Sequence, residues 1–262
     1  MRVITLTTDF GAADWFVGSM KGVILALNPR VQIVDITHGV PAGDLRAAAF
    51  ALTASCRFFP KYSIHVAVVD PGVGGHRAAL AIQTEDYFFV GPDNGVLSVA
   101  LAREKIRAVF QITNEQLFLK PLSQTFHGRD MFAPVAAHLS KGLPIQNLGP
   151  SKKDFVKLDW PQPHRSANSV TGEIVYIDGF GNAITNISHE PLARPAESSG
   201  ALFAKRRRLC SIKPSYQAVP RQKAVAVPGS SGFLEIAVNG GSAAAKLGLK
   251  IGDAVTFRPK AP

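Results

Sequence analysis

A chain of 262 residues with 46% hydrophobic content can bury a real core, as one large domain or two smaller ones, and reads as a soluble globular protein. Its longest apolar runs, such as "FVGSMKGVILAL", are broken by Lys21 and by glycines well short of the roughly 20 residues of a membrane span, so no membrane partner is expected. A net charge of +10 fits either nucleic acid or a protein that attracts anions. The one concentrated run, "KRRR" at 205–208, adjoins the loop-like "RPAESSG" and has no interleaved aromatics, which argues for a solvated edge and against a nucleic-acid partner.

In chain order, "VITLTTD" alternates and is β-branched, so it predicts a strand ending at Thr8-Asp9. A helix capped by Asp14 should follow, packed through Trp15, Val17, Met20, Ile24 and Leu27 and stopped by Asn28-Pro29. Next come a strand at "VQIVDI", a helix from Asp44 with Leu45, Ala48, Ala49 and Leu52 on one face, and a buried strand "IHVAVVD". This β-α-β alternation implies a mainly parallel sheet. "LAIQT" and "YFFVGPDNG" read as strands joined at Glu85-Asp86, followed by a short helix after Gly95, a strand "RAVFQI" and a helix from Asp130 to Ser140.

Residues 150–168 hold three prolines and no sustained period, as an interdomain connection does. Beyond them "VTGEIVYID", "NAITNIS", "ALFAKRR", "KAVAVP", "GFLEIAV" and "DAVTFRP" are short β-type segments between turn residues. The expected architecture is an N-terminal α/β domain at 1–160 and a smaller all-β barrel at 169–262. The opening "MRVITLTTDF" has no apolar block of signal-peptide length, which favours the cytoplasm. Cys56 and Cys210 are too few and too distant for a disulfide framework or a four-ligand zinc site, and they read as ordinary thiols.

Carboxylates collect where ligands bind in open α/β sheets, at the carboxyl ends of strands. Asp9 closes the first strand, Asp35 lies within the second, Asp70 closes the third, and Asp93-Asn94 follows "YFFVGP". Each alone would be read as a cap or turn residue. Together, and followed by Gly or Pro, they point to a site. The seven histidines form no HxxxH pair, no phosphate-binding glycine loop is present, and no metal is expected. His127 in "FHGRD" stands just before a glycine, where a loop imidazole can face a cavity.

The segments "TDFGAADWFVGSMKGVI", "VDITHGVPAGD", "AVVDPGVGGHR", "VGPDNGVLS", "TFHGRDMFAPVAAHL" and "YIDGFGNAITNI" together resemble the S-adenosylmethionine hydroxide adenosyltransferase family, relatives of the fluorinating and chlorinating enzymes. The resemblance implies hydrolysis of S-adenosylmethionine to adenosine and methionine without a cofactor, in a homotrimer with active sites between subunits. It assigns water activation to Asp70, Arg77 and His127, and ribose binding to Asp9. Asp178 would hold the methionine ammonium, Phe180 would pack near adenine and Asn182 would bond its edge. Ser230 and Ser231 match a loop that meets the methionine carboxylate and adenine, although halogenating relatives carry an arginine at 231. Val238 and Asn239 fall in an adenine-contacting region that acts through backbone groups. Gly128 stands where the fluorinating relatives carry a halide-binding serine, which places the chain in the hydrolytic branch. The alternatives are a halogenating enzyme on the same substrate and a non-catalytic binder of it.

Overall fold

Six consecutive buried residues, Val3–Thr8, form β1, the strand from which the first sheet is built. It pairs in parallel with β2 (Gln32–Thr37) and β3 (Ile64–Val68). β3 pairs in parallel with β5 (Phe88–Pro92), while β4 (Ala79–Thr84) runs antiparallel to both β5 and β6 (Ile106–Gln111). The order is β2-β1-β3-β5-β4-β6, with three parallel and two antiparallel pairings. Complete burial of β1, β3 and β5 is what inner strands covered on both faces require. The edge strand β2 is correspondingly exposed.

The computed structural model describes residues 2–189, 200–204 and 207–259. The chain divides into two units, Met1–Asp159 and Trp160–Pro262. In the first, α1 (Phe16–Leu27) and α4 (Ala133–Ser140) cover one face of the sheet, where Met20, Ile24, Phe132 and Val135 pack with Ile4, Leu6, Val66 and Val68. The other helices are α2 (Leu45–Ser55) and the single turn α3 (Ser98–Leu101). Asp44 caps α2 as expected, accepting the Ala47 N–H at 2.9 Å. Asp14 does not cap α1. The cap position is Trp15, which has no side-chain bond and is 69% exposed, so it is not part of the packed face. The helix expected from Asp130 starts earlier, as a π turn at Gly128–Phe132 that runs into α4. Asp130 is wholly buried inside that turn, where Arg129 Nε at 2.6 Å and the Ser123 N–H at 2.8 Å engage its carboxylate.

His65 on β3 is buried with Thr5 Oγ1 at 2.8 Å from Nδ1 and the rings of Phe59, Tyr87 and Phe89 around it. Burial pushes its pKa down to about 3. The unfolded chain therefore takes up a proton near pH 6.5 that the folded chain refuses, and stability falls as pH drops from there towards 3. This one group sets a slope approaching ~1.4 kcal/mol per pH unit. Urea titrations of the protein and of His65→Phe between pH 7 and 4 should show a shallower acid decline in the variant; parallel declines would remove His65 as the cause.

In the second unit, β7 (His164–Ser166) pairs with β8 (Ser169–Ile177), so part of the expected connection is a strand. The antiparallel path continues through β9 (Ala183–Ser188), β10 (Gly200–Ala204), β11 (Arg207–Ser211), β12 (Ala224–Pro228), β13 (Phe233–Val238) and β14 (Ala254–Pro259). Its order is β11-β10-β14-β8-β9-β13-β12. A bridge between Ile212 and Ala226 brings the two ends of that order together, making a nearly closed barrel. Ile174, Ile187, Leu202, Leu234, Ile236, Val255 and Phe257 fill its interior. A short helix, α5 (Ala243–Leu247), has no counterpart in the sequence expectation. The segment "ALFAKRR" is not one strand, since β10 and β11 pair with each other. Of "KRRR", Arg207 and Arg208 are exposed on β11, whereas Lys205, Arg206 and most of "RPAESSG" lie outside the described residues.

Candidate active site

Loops leaving the carboxyl ends of β1, β2 and β3 meet the segment before α4 around a cleft of about 350 Å³. Asp9, Phe10, Asp70, Pro71, Phe126 and His127 are among the residues that line it. One Asp9 oxygen, Oδ2, accepts the Gly43 N–H at 2.8 Å, which fixes the carboxylate while its other oxygen keeps its acceptor capacity. Phe10, Phe16 and Phe126 pack pairwise, tilted or edge to face, at 5.1–5.8 Å between centroids and give the cleft an apolar wall.

The "DPGVGGHR" segment folds back on itself through Val73 N–H to Asp70 C=O at 3.1 Å and Gly75 N–H to Gly72 C=O at 3.0 Å. Gly74 has φ +76°, and a Cβ there would stand 2.3 Å from the Gln124 carbonyl oxygen. Only glycine lets this turn lie against the segment carrying His127. Arg77 returns to Asp70 with Nε at 3.0 and 2.9 Å from the two carboxylate oxygens, and its Nη2 also bonds Oδ2. The same Nη2 reaches His127 Nδ1 at 2.9 Å. The three residues expected to act together therefore touch.

Arginine only donates, so His127 Nδ1 must accept, and the neutral ring carries its proton on Nε2. That Nε2 is buried and finds no hydrogen-bond partner among the described residues. Burial first, and then the Arg77 charge, push the His127 pKa below its usual value, outweighing Asp70 and Asp130. Asp70 and His127 line the cleft, while Arg77 is not among its lining residues, bonds both of them and lies over the Phe132 ring at 5.5 Å. A Cβ on Gly128 would press on Met20 Sδ and Phe126 Cε2 at 3.3 Å and on Phe10 Cε2 at 3.4 Å. A side chain at 128 would need these neighbours to give by a few tenths of an ångström.

The other acidic strand ends do not enter the cleft lining. Asp35 pairs with Lys21 Nζ at 2.5 Å and lies near His38. Asp93 Oδ1 accepts the Val156 N–H at 2.7 Å. Asn94 Nδ2 donates to the Val69 carbonyl at 2.8 Å, which steadies the residue before Asp70.

In the barrel unit, Asp178, Phe180 and Asn182 share the β8–β9 turn. Asp178 Oδ1 accepts the backbone N–H groups of Phe180 and Asn182, both at 2.9 Å, and Oδ2 accepts Asn182 Nδ2 at 3.0 Å. Phe180 is 82% exposed at the tip, and Asn182 is buried. Ser230 and Ser231 sit in the β12–β13 turn, at the opposite end of β13 from the buried Val238. Asn239 bonds the Val219 carbonyl through Nδ2 at 2.8 Å. Sequence reasoning missed Glu235, a buried carboxylic acid on β13 that accepts from Tyr216 Oη at 2.7 Å. Burial and the Asp178 charge raise its pKa, while the Tyr216 bond works the other way. Its signal was available as the lone acid in "GFLEIAV".

The family model for the SAM hydroxide adenosyltransferase N-terminal domain matches residues 4–149, and that for the C-terminal domain matches residues 172–256. An (R)-S-adenosyl-L-methionine hydrolase of Salinispora tropica is 40% identical over 95% of this chain and 95% of its own. A fluorinase of Nocardia brasiliensis is more distant, 25% identical over 98% of this chain and 96% of its own. The crystal structure of a conserved protein from Thermotoga maritima superposes with a TM-score of 0.92 at 37% identity, covering 97% of this chain and 99% of that one. The chain belongs to the SAM hydroxide adenosyltransferase family.

Proposed function

We propose that this protein is an enzyme that hydrolyses S-adenosyl-L-methionine to adenosine and L-methionine, an oxygen from water attacking the ribose 5′ carbon. The observation that carries this reading is the Arg77 guanidinium bonded to both Asp70 and His127 beside the cleft. The C5′–S bond breaks as the C5′–O bond forms, and a proton leaves the oxygen. The sulfonium departs as a neutral thioether, so the reaction needs neither a general acid nor a cofactor. The demand falls on the nucleophile.

Bulk water has a pKa of about 15.7. One guanidinium about 4 Å away contributes roughly 4 kcal/mol at an effective dielectric near 20, or about three pKa units. Water would still be largely undissociated near neutrality, so a base and the substrate's positive charge must supply the rest. With Nδ1 held by Arg77, His127 carries its ring proton on the buried Nε2, and in this reading a small shift of the ring presents that N–H to the attacking oxygen and orients it. The proton goes to Asp70, whose Oδ1 is engaged by Arg77 Nε alone while Oδ2 takes two contacts. Arg77 acts through both neighbours and lends its charge from behind them.

In this reading Asp9 binds the ribose hydroxyls. Asp178, Phe180, Asn182, Ser230, Ser231 and Val238 bind the methionine and adenine ends, in a homotrimer whose sites lie between subunits. Light scattering should return three chain masses. A serine at 128, the residue that would mark a halide site, would require the side chains of Phe10, Met20 and Phe126 to give by a few tenths of an ångström, so the glycine is what the present wall accommodates. Chromatography after incubating the purified protein with S-adenosylmethionine, alone and with chloride or fluoride, should show adenosine and methionine in every arm. A 5′-halonucleoside would overturn the hydrolytic reading, and binding without turnover would leave a sensor.

A further inference from the structure

Asp9 is held between two residues whose own positions are set from β2. The pairing of β1 with β2 slips between Leu6 and Thr7: Leu6 lies opposite Asp35 but Thr7 lies opposite Thr37, so Ile36 is an extra residue on the edge strand. The slip brings the residue after Thr37 alongside Thr8. His38 Nδ1 lies 2.8 Å from Thr8 Oγ1, and the His38 carbonyl accepts the Gly11 N–H at 2.8 Å. Thr8 Oγ1 also accepts the Phe10 N–H at 3.3 Å. The two backbone neighbours of Asp9 and the residue two beyond it are therefore tied directly or indirectly to one histidine.

The far side of the ring is anchored as well. His38 Nε2 lies 3.1 Å from Asp35 Oδ1, short of a well-aligned hydrogen bond but close enough for attraction between ring N–H and carboxylate. Burial works against the charge of Asp35, yet the Lys21 bond and the nearby His38 ring outweigh it and hold its pKa below the usual value. A consistent direction of donation follows: Phe10 N–H to Thr8 Oγ1, Thr8 O–H to His38 Nδ1, and His38 Nε2–H towards Asp35. Each group that donates in this run has an acceptor facing it. Without His38, Thr8 would lose the acceptor for its hydroxyl proton at a fully buried position.

We propose that His38 is a positioning residue for substrate binding, holding the Thr8–Gly11 corner so that Asp9 presents its carboxylate to the ribose. The proposal rests on the reading of Asp9 given above. His38 is not among the residues that line the cleft, and it acts through the hydroxyl of Thr8 and the backbone of Gly11.

The test measures kcat and KM for adenosine release, with thermal melting alongside. His38→Ala and Thr8→Val should each raise KM about tenfold, the scale of a displaced binding group. The double variant should be no worse than Thr8→Val alone, because that change already removes the His38 contact together with the acceptor for the Phe10 N–H. His38→Asn, whose side-chain oxygen can accept from Thr8 at the place of Nδ1, should recover most of the loss. A merely structural role would lower the melting temperature and the active fraction, with KM unchanged or with additive effects, and would overturn the proposal. Asp9→Asn separates the two claims. If it leaves KM unchanged, the ribose role fails and the proposal with it; if it raises KM while His38→Ala does not, only the proposal fails.

Discussion

Arg77→Ala is expected to lower kcat/KM for adenosine formation by about a thousandfold, the rate equivalent of the roughly 4 kcal/mol its charge supplies. Binding of S-adenosylmethionine, followed by calorimetry, should survive, because Arg77 is not among the residues that line the cleft. The variant should also melt earlier, since the Asp70 side chain is only 5% exposed and would lose its counter-charge. Lysine is no substitute: its single ammonium cannot span both carboxylate oxygens and the imidazole as the guanidinium does. Asp70→Asn keeps the shape and removes the proton acceptor, so it should lose turnover to a similar extent with less loss of stability. Turnover within tenfold of the parent in both variants would reject the assignment.

The second large effect is expected from one methyl group. Gly74→Ala puts a Cβ 2.3 Å from the Gln124 carbonyl oxygen at a φ of +76°, so backbone must move. The strain is about 1–3 kcal/mol, which lowers the melting temperature by several degrees in a chain of this size. The larger consequence is catalytic. Separating the Asp70–Arg77 turn from the segment of His127 by even about 1 Å should cost on the order of a hundredfold in kcat. Gly72→Ala is the control, because its Cβ would meet Arg77 Cγ and Asp70 Oδ1 at ordinary contact distances of 3.6 and 3.9 Å. Equal behaviour of the two variants would show that the close approach at Gly74 does not hold the site together.

Local patterns were legible where the interactions that set them are local. Asp44 caps α2 because an i to i+3 bond needs nothing beyond the helix start. Asp14 resembles a cap equally well in sequence, but α1 begins where Phe16 joins the aromatic wall, and no local rule states that. The helical period before α4 cannot distinguish an α turn from the π turn that buries Asp130. Glu235 was missed although its signal, an acid among apolar neighbours, is local, whereas His38 has no local signal, because its partner depends on a slip in strand register.

From its residues alone the chain declared an α/β unit followed by a β-barrel, since the change in hydrophobic period is written into consecutive positions. Strand ends bearing Asp9 and Asp70 were declared in the same way, and so was the likeness carried by six ordered motifs. Only the tertiary structure decided that Arg77 closes on Asp70 and His127, and that the imidazole must carry its proton on Nε2. Those facts depend on contacts between residues 7 and 50 positions apart, and on a turn that a single Cβ would push away. Spacing along a chain does not encode such distances; packing does.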